Sequence, residues 1–374
     1  MTRRSGLSLL GAVALVGVLL ALPAPKRGVV AVRAGLAPAG SAAVPGPTLA
    51  QVWPRAHTFG FPAILEDGSA FNPLAIVDGD LALGAVTDAA STRYGLAVVT
   101  GAGAVRVLET HAAADAPAVD AIAATATEFF WMDTVSDAAG NSRTSLWRAA
   151  RGGGKAGLLT ADVGKALFAN SRYDLQVVDG RIYWVAAPRG SGHRTELRSV
   201  ALSGGRVSVR PLAGDFVMTA WPWLTSSPGA SGSRVDLDNL LTGAHHAVPA
   251  PANQQLTCTP AWCRMLAANV QDASEIDVVR PDGTDRRRVG DVNSSAIADD
   301  VALRDRFEVL ATPTPTSSPT IVIEVLRLYD IVRRRAVVLT PAASNAGARG
   351  DYVWWATGDN ETLAWHGLDL RSLT

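Results

Sequence analysis

Cys258 and Cys263 stand in the segment Cys-Thr-Pro-Ala-Trp-Cys and are the only cysteines among the 374 residues. An even pair this close indicates a disulfide in a protein exported to an oxidising compartment. Closing so short a loop stabilises a fold by about 2 kcal/mol in the chain-entropy account. The alternatives are a metal-binding pair and a redox dithiol. A redox motif normally has two intervening residues, and a zinc site needs two further ligands nearby, so we predict a structural disulfide.

His245 and His246 form the one histidine pair in the chain. Neighbouring residues on a strand point to opposite faces of the sheet, so the two rings cannot readily bind one metal ion. The acidic segment 236–239 lacks the further oxygen ligands and the fixed glycine of a calcium loop. We therefore predict no metal site.

Known catalytic motifs are also missing from the sequence. Segment 229–232, Gly-Ala-Ser-Gly, resembles a serine-hydrolase elbow but lacks its second spacer residue. Segment 136–140 has the wrong spacing for a sialidase Asp-box, and no glycine loop for phosphate binding is present. Asp299 and Asp300 lie close to two arginines in a connection, which indicates solvated ion pairs. We predict no catalytic residue and no cofactor.

The ten tryptophans raise the hypothesis of carbohydrate or cation binding, because indole faces bind both. Four of them occupy one recurring strand position, which favours packing between repeats over ligand binding: Trp131, Trp184, Trp223 and Trp354. Trp221 and Trp262 are less constrained, and we name them as candidate binding residues. Trp262 lies inside the predicted disulfide loop. Of the two candidates it comes first, and its exposure to solvent decides whether it can bind a ligand.

One strand pattern recurs from residue 79 onward: a short apolar strand, a polar loop, a second strand, a turn and a third strand. The spacings between equivalent residues are 48, 53, 39, 41, 45 and 45, measured along Leu83, Trp131, Trp184, Trp223, Arg264, Val309 and Trp354. Such periods match the blades of a β-propeller, for which about 40–50 residues is usual. Asp-Gly turns at Gly79 and Gly180 indicate a further, innermost strand. No helical period is sustained here, so we predict an all-β fold, a single seven-bladed β-propeller.

The last repeat ends at Thr374 without an outermost strand. Residues 49–59 are strand-like and precede the first repeat. We expect this N-terminal strand to close the last blade, because an unpaired edge would expose a row of backbone donors and acceptors. The propeller is thus predicted to extend over residues 49–374.

The N-terminus has the pattern of an export signal. Arg3 and Arg4 precede an uninterrupted apolar run over residues 7–22. The uncharged stretch 5–25 is long enough to span about 30 Å of hydrocarbon, and a clear cleavage site is missing. We expect residues 1–27 to be a signal peptide or membrane anchor and 28–48 a flexible Ala/Pro/Gly linker. The protein is therefore predicted to be extracytoplasmic, either secreted or anchored to the cytoplasmic membrane.

Overall charge argues against one class of partner. The chain has 34 basic and 34 acidic residues and a formal net charge of zero. No global field would draw it to polyanions, so we expect no nucleic-acid partner.

Segment 278–289, Val-Val-Arg-Pro-Asp-Gly-Thr-Asp-Arg-Arg-Arg-Val, resembles the strand-turn-strand element of TolB-type propellers. The patterns Thr-x-Leu-x-Arg and Leu-Ser-Gly-Gly, and Val-Trp-Pro at 52–54, are similar to those of actinobacterial exported TolB-like proteins of the WD40-like superfamily. The resemblance covers residues 49–374 and implies a propeller fold. TolB itself has an additional α/β domain and a repeated Ser-Pro-Asp-Gly signature. Neither is found here, so a Tol–Pal partner is not implied.

Three classes of function fit these features. The favoured one is a non-catalytic cell-envelope propeller that binds a protein, peptide or glycan across its ring face. The second is a propeller enzyme, of lactonase-like or quinone-dependent type, whose site residues are dispersed over several blades. The third is a structural component of an envelope assembly.

Overall fold

The computed structural model describes residues 46–374 with gaps at 138, 189–193, 227–233, 251–253, 269–273, 292, 316, 318–321 and 360–361. The predicted signal or anchor at 1–27, including the membrane tether at 5–25, and all but the end of the predicted linker lie outside the described residues. Among the residues that are described, no helix is both long enough and apolar enough to cross a membrane.

Nearly all regular elements of the chain are β-strands. One helical turn, α1 (Leu49–Val52), is followed by strand β1 (Thr58–Pro62). Blade 1 contains β2 (Ala70–Asp78), β3 (Leu81–Thr87), β4 (Arg93–Thr100) and β5 (Val105–Ala112). Blade 2 contains β6 (Ala118–Ala124), β7 (Glu128–Ser136), β8 (Ser142–Ala150) and β9 (Gly157–Thr160). Blade 3 contains β10 (Lys165–Ala166), β11 (Gln176–Val178), β12 (Arg181–Ala187), β13 (Arg194–Ala201) and β14 (Ser208–Ala213).

The remaining blades follow the same order. Blade 4 contains β15 (Phe216–Met218), β16 (Trp223–Ser226), β17 (Arg234–Asn239) and β18 (His245–Pro249). Blade 5 contains β19 (Gln254–Cys258), β20 (Cys263–Ala268), β21 (Ser274–Val279) and β22 (Arg287–Gly290). Blade 6 contains β23 (Ser295–Ala296), β24 (Phe307–Pro313), β25 (Glu324–Asp330) and β26 (Arg335–Ala343). Blade 7 contains β27 (Asn345–Arg349), β28 (Tyr352–Thr357) and β29 (Ala364–Asp369), and 3-10 turns lie at Ala113–Asp115 and Leu370–Ser372.

Each blade is an antiparallel sheet whose strands pair in sequence order. The predicted all-β, seven-bladed propeller is confirmed, and the aligned residues of the seven repeats all fall in the second strand of a blade. Blade 3 departs from the pattern, because its innermost strand is split. Strands β10 and β11 both pair with β12, and residues 167–175 leave the sheet between them.

The hydrophobic core lies between blades rather than within them. Each of the seven core clusters combines residues of two neighbouring blades. Between blades 1 and 2, for example, Leu83 and Leu96 pack with Phe129 and Trp131. Burying apolar surface contributes about 25 cal/mol per Å², and a single four-stranded sheet has no second layer to cover its faces. Closure of the ring therefore supplies the core.

Strand β1 completes blade 7 by pairing antiparallel with β29, from Thr58 opposite Leu368 to Pro62 opposite Ala364. Closure by an N-terminal strand is thus confirmed, but the expected bounds of 49–59 were wrong. Residues 49–52 form α1, because Thr48 and Gln51 make a capping box at its start. Trp53 then enters the core against Phe307, with ring centroids 6.1 Å apart.

The connections between strands leave the ring at two faces, because successive strands run in opposite directions. One face holds the connections from the first to the second strand and from the third to the fourth strand of each blade, and we call it the turn face. The crossover face holds second-to-third connections and the connections from one blade to the next, including 63–69 between β1 and β2. The two faces differ in charge.

Candidate functional site

The segment between β10 and β11 reaches from blade 3 to residues of blades 6 and 7 near the turn face, and its contacts form what we call the axial cluster. The Ser171 hydroxyl donates to Asp300 Oδ1 at 2.6 Å, and the Arg172 backbone N–H donates to the same oxygen at 3.0 Å. Arg349, the last residue of β27, donates to the carbonyl of Ile122 at 2.8 Å. Blades 2, 3, 6 and 7 are thereby joined across the ring.

The carboxylates of the axial cluster are engaged in holding this segment. Asp174 accepts hydrogen bonds from the backbone N–H groups of Ala169 and Ser171. Burial raises the pKa of Asp174 to about 6, although these donors and Arg349 oppose the rise. Both oxygens of Asp174 and Oδ1 of Asp300 accept hydrogen bonds from the fold, and Asp300 Oδ2 lies 3.9 Å from Arg172 Nε, so we assign both residues a structural role.

The interpretation of Asp299 and Asp300 as solvated partners of neighbouring arginines was wrong for Asp300, which is 5% exposed. Arg304 pairs instead with Asp351 at 2.7 Å, and Arg306 pairs with Asp330 at 2.7 Å. The true partner of Asp300 is Ser171, which is 129 positions away, so the residues near Asp300 in the sequence did not indicate it.

The crossover face is acidic. Among the described residues of its connections there are nine carboxylates and neither lysine nor arginine. The nine are Glu66, Asp67, Asp88, Asp115, Asp137, Asp162, Asp215, Asp291 and Asp359. All except the half-buried Asp88 are exposed. The turn face carries both signs, with Arg280 and Arg286 close in sequence to Asp282 and Asp285, and with Arg333 in the connection between β25 and β26. The chain is neutral overall, so this is a segregation of charge between its faces.

Several of these aspartates also stabilise turns. Asp88 Oδ1 accepts from the backbone N–H of Thr92 and Arg93, and Asp137 Oδ1 accepts from those of Ala139 and Asn141. The side-chain bonds from Thr92 and Asn141 lead the causes that lower the pKa values of Asp88 and Asp137. These carboxylates therefore remain ionised at neutral pH. Turn chemistry explains why aspartate occurs here, but it does not explain why the described residues of these connections include no lysine or arginine.

The disulfide predicted from the sequence is formed, with Cys258 and Cys263 paired at an S–S distance of 2.05 Å. It closes the turn between β19 and β20, where the two residues also lie opposite each other in the ladder. Redox and metal roles require an unpaired thiolate, so this pair acts as a covalent clip in blade 5.

The two candidate binding tryptophans have different surroundings. Trp262 is 1% exposed, its Nε1 donates to the carbonyl of Asp305, and the Arg280 guanidinium lies 3.7 Å from its ring centroid. Because its faces are covered, Trp262 is a core residue rather than a ligand-stacking one. Trp221 is half-buried against Tyr183, with centroids 4.4 Å apart, and its role in binding stays a prediction.

All ten tryptophans lie among the described residues, and none of them is exposed. Three are half-buried, namely Trp147, Trp221 and Trp223, and the other seven are buried. Sugar-binding sites need an accessible indole face, so this distribution does not favour a glycan ligand.

His245 and His246 point to opposite sides of β18, as predicted. His245 Nδ1 lies 2.6 Å from Asp238 Oδ1, whereas His246 packs against Trp223 with centroids 5.4 Å apart. Within the described part of the chain, no group of three or more His, Cys, Asp or Glu side chains is arranged to hold a metal ion.

A buried polar cluster lies between blades 1 and 2, toward the crossover face. His111 Nε2 is 3.6 Å from Glu109 Oε2, and Trp147 Nε1 donates to Asp133 Oδ1 at 2.9 Å. The buried atoms Glu109 Oε1, His111 Nε2 and Trp131 Nε1 have no hydrogen-bond partner among the described residues. Burial, and then repulsion by Asp133, raises the pKa of Glu109, and burial also raises the pKa of Asp133.

We expect Glu109→Gln to stabilise the protein at neutral pH and to have little effect in acid. The pKa of Glu109 is higher in the folded chain, so its contribution to stability is present below the ordinary glutamate pKa and is lost as the pH rises through the raised value. Removing an ionised group with an unpaired oxygen should add about 1 kcal/mol near pH 7. Urea unfolding at about pH 4 and about pH 7 measures the difference. The exposed Glu66→Gln is the control, and a gain for Glu109→Gln that does not change with pH would contradict this prediction.

Comparisons with known proteins identify the fold. No protein-family profile and no curated protein matches the sequence. Among solved structures, a prolyl endopeptidase is similar with a TM-score of 0.50 and 12% identity, over 77% of this chain and 44% of that one. TolB from Acinetobacter baumannii has a TM-score of 0.40 and 11% identity, over 72% and 65%. The WD40 domain of SCAP from fission yeast has a TM-score of 0.41 and 9% identity, over 82% and 99%.

These likenesses concern architecture. This chain spans less than half the length of the prolyl endopeptidase, and all three identities are far below the level at which activity is shared. The predicted propeller fold is confirmed, and TolB and WD40 propellers are among the solved structures that the chain is similar to. Function has to be argued from the faces of the ring.

Proposed function

We propose that this protein is a non-catalytic binding propeller whose crossover face holds a positively charged segment of a partner protein or peptide. The observation that supports this proposal is the set of nine carboxylates on that face, with no lysine or arginine in the described residues of its connections. A surface of one sign raises the local concentration of an oppositely charged partner and speeds its association. The predicted N-terminal export segment would place this interaction in the cell envelope or outside the cell.

A polypeptide is favoured over a glycan because seven of the ten indole rings that could stack on sugars are buried and the other three are half-buried. An acidic surface would also repel phosphate, which agrees with the expectation that nucleic acid is not a partner. The axial cluster lies near the turn face, so the proposed binding surface is on the side of the ring opposite to it.

Charge reversal on the crossover face should weaken binding of a basic peptide. Glu66 and Asp115 are suited to this test, because both are exposed and neither makes a hydrogen bond or ion pair with another described residue. The double variant Glu66→Lys/Asp115→Lys is expected to bind fluorescein-labelled oligolysine about tenfold less tightly at low salt. Fluorescence anisotropy at about 0.02 M and about 0.5 M salt measures the affinity, and the difference between proteins should shrink at high salt.

Asp80→Lys is the matched control, since Asp80 is exposed in the β2–β3 connection of the turn face. It makes the same change of charge as Glu66→Lys or Asp115→Lys alone, at the opposite end of blade 1. Its affinity for oligolysine should stay within about twofold of the natural protein's. Equal losses for Asp80→Lys and for the single variants Glu66→Lys and Asp115→Lys would show that net charge alone matters, and unchanged binding by the double variant would refute a basic partner on this face.

A further inference from the structure

Two carboxylates meet in the buried polar cluster between blades 1 and 2, and we call them the acid pair: Glu109 and Asp133. Glu109 lies opposite Leu96 in the β4–β5 ladder, and Leu96 packs in the core between these blades. Asp133 is two residues beyond Trp131 in β7, and Trp131 packs in the same core. Residues opposite each other in a ladder, or two apart on one strand, share a face of the sheet, so both carboxylates point into the space between blades 1 and 2.

The acid pair has no strong counter-charge within the described part of the chain. The Glu109 side chain is 10% exposed and Asp133 is 3% exposed, and neither forms an ion pair with a described lysine or arginine. The basic group beside the pair is His111, whose Nε2 is 3.6 Å from Glu109 Oε2. Arg143, on the same face of β8, is exposed and pairs with neither carboxylate. Buried carboxylates are normally paired, so the negative charge of the acid pair is left largely uncompensated.

Neighbouring acidic groups add to the repulsion around the acid pair. Tyr94 of β4 faces the same space, and its pKa is raised by burial and then by the two carboxylates. Burial raises the pKa of Asp133, and Asp120 of β6 adds to the rise. Trp147 and His111 oppose it. A cation from outside the chain would relieve this repulsion, because a positive charge favours the ionised form of both carboxyl groups.

Two buried polar atoms beside the acid pair have no hydrogen-bond partner among the described residues. They are Oε1 of Glu109 itself and Nε1 of Trp131, a residue that is 0% exposed. The Trp131 N–H is near enough to Glu109 to lower the pKa of that carboxyl, so the two atoms share one space. Native structures rarely leave buried polar atoms without a partner. These two atoms therefore mark a place that a polar group of a ligand would complete.

Access to the acid pair is from the crossover face. Glu109 and His111 are near the end of β5 and Tyr94 is near the start of β4, where both strands border that face. The His111 side chain is 32% exposed and Tyr94 is half-buried, whereas Glu109 lies deeper. His111 Nε2 has no hydrogen-bond partner among the described residues that would hold the ring in place. A side chain arriving at the crossover face can thus reach Glu109 by turning the His111 ring aside.

We propose that the acid pair binds the primary ammonium group of a lysine side chain from the basic partner. An ammonium group has three rotatable donors, so it bonds to Glu109 Oε1 and to the Asp133 carboxylate at the same time. Its alkyl stem lies toward the crossover face, beside the half-buried Tyr94 and Trp147. This inference rests on the proposed function, which supplies the basic polypeptide. It adds a specific site for one lysine of that polypeptide.

Two peptides, both acetylated and amidated at their ends, test the inference: Arg-Arg-Gly-Lys-Gly-Arg-Arg and the same sequence with norleucine in place of lysine. Norleucine keeps the alkyl stem and lacks the ammonium group. Calorimetric titration of the natural protein should show about tenfold tighter binding of the lysine peptide. The variant Glu109→Gln should reduce this preference to about twofold, which is the effect of one additional peptide charge on an acidic surface.

Glu66→Gln is the matched control, because it removes the same charge from an exposed position of the same face and should keep the tenfold preference. Asp133→Asn tests the second carboxylate and retains an oxygen that accepts from Trp147, so it should act as Glu109→Gln does. Equal binding of both peptides to the natural protein would overturn this inference alone. So would a preference that Glu109→Gln leaves unchanged, or one that Glu66→Gln reduces equally. Binding of neither peptide would overturn the proposed function and this inference with it.

Discussion

Glu308→Ala is expected to lower the free energy of unfolding by about 3–5 kcal/mol, because it leaves the Arg264 guanidinium buried without its counter-charge. Glu308 is 0% exposed and Arg264 6% exposed. Glu308 Oε2 accepts from Arg264 Nη2 at 2.6 Å and from Nε at 2.9 Å. Urea unfolding followed by tryptophan fluorescence measures the loss.

The pair also determines the position of the axial cluster. Arg264 donates to the carbonyls of Ala298 at 2.7 Å and Asp300 at 2.8 Å, and Ala302 N–H donates to Glu308 Oε1 at 2.7 Å. Arg264 occupies the repeat position that is tryptophan in four other blades. A charge at this position requires a partner on the next blade, and Glu308 provides it.

Two further variants test whether the loss of stability in Glu308→Ala arises because the Arg264–Glu308 pair is buried. Asp351→Ala breaks the exposed Arg304–Asp351 pair and should cost only about 0–1 kcal/mol. Arg264→Met/Glu308→Leu replaces both buried charges with apolar groups and should recover most of the loss, since such replacements are often neutral. A cost for Glu308→Ala as small as that of Asp351→Ala would show that the buried pair is not needed.

Removal of residues 1–62 is expected to abolish cooperative unfolding and to cause aggregation, whereas removal of residues 1–45 should leave the thermal transition unchanged. The longer deletion takes away β1 and exposes the edge of β29, whose backbone groups it pairs. It also removes Phe61, 4% exposed, from the core between blades 7 and 1. Calorimetry and size-exclusion chromatography distinguish the two chains.

A point variant separates packing from backbone pairing. Phe61→Ala keeps β1 in place and should cost about 3–5 kcal/mol, because it leaves a cavity in the blade 7–1 core. Phe59 packs edge-on against Phe61 and Tyr352, with centroids 5.7 and 5.9 Å away, so relaxation into the cavity is restricted. A cooperative, monomeric chain after removal of 1–62 would show that the ring does not depend on this closure.

The amino-acid sequence by itself determined the architecture. Propeller blades repeat a local pattern, and the recurrence of Trp131, Trp184 and Trp354 at one strand position marked their packing between blades. The disulfide was equally local, since only four residues separate Cys258 from Cys263. The sequence predicted correctly that an N-terminal strand closes the last blade, but the predicted bounds of 49–59 were wrong. The capping box at Thr48 favours a helical turn at residues 49–52, where the apolar pattern favoured a strand.

Only the tertiary structure decided which groups meet. Ser171 and Asp300 are 129 positions apart and Arg264 and Glu308 are 44 apart, so the first contact exists only once blades 3 and 6 come together in the ring, and the second only once blades 5 and 6 pack against each other. Burial of Trp262 depends on Arg280 and on the carbonyl of Asp305, which its local sequence does not reveal. The acidic crossover face was present in the sequence as scattered aspartates, but their common location follows from the alternating direction of the strands. Periodicity is a property of neighbouring residues, whereas a site is assembled from blades whose proximity is determined by closure.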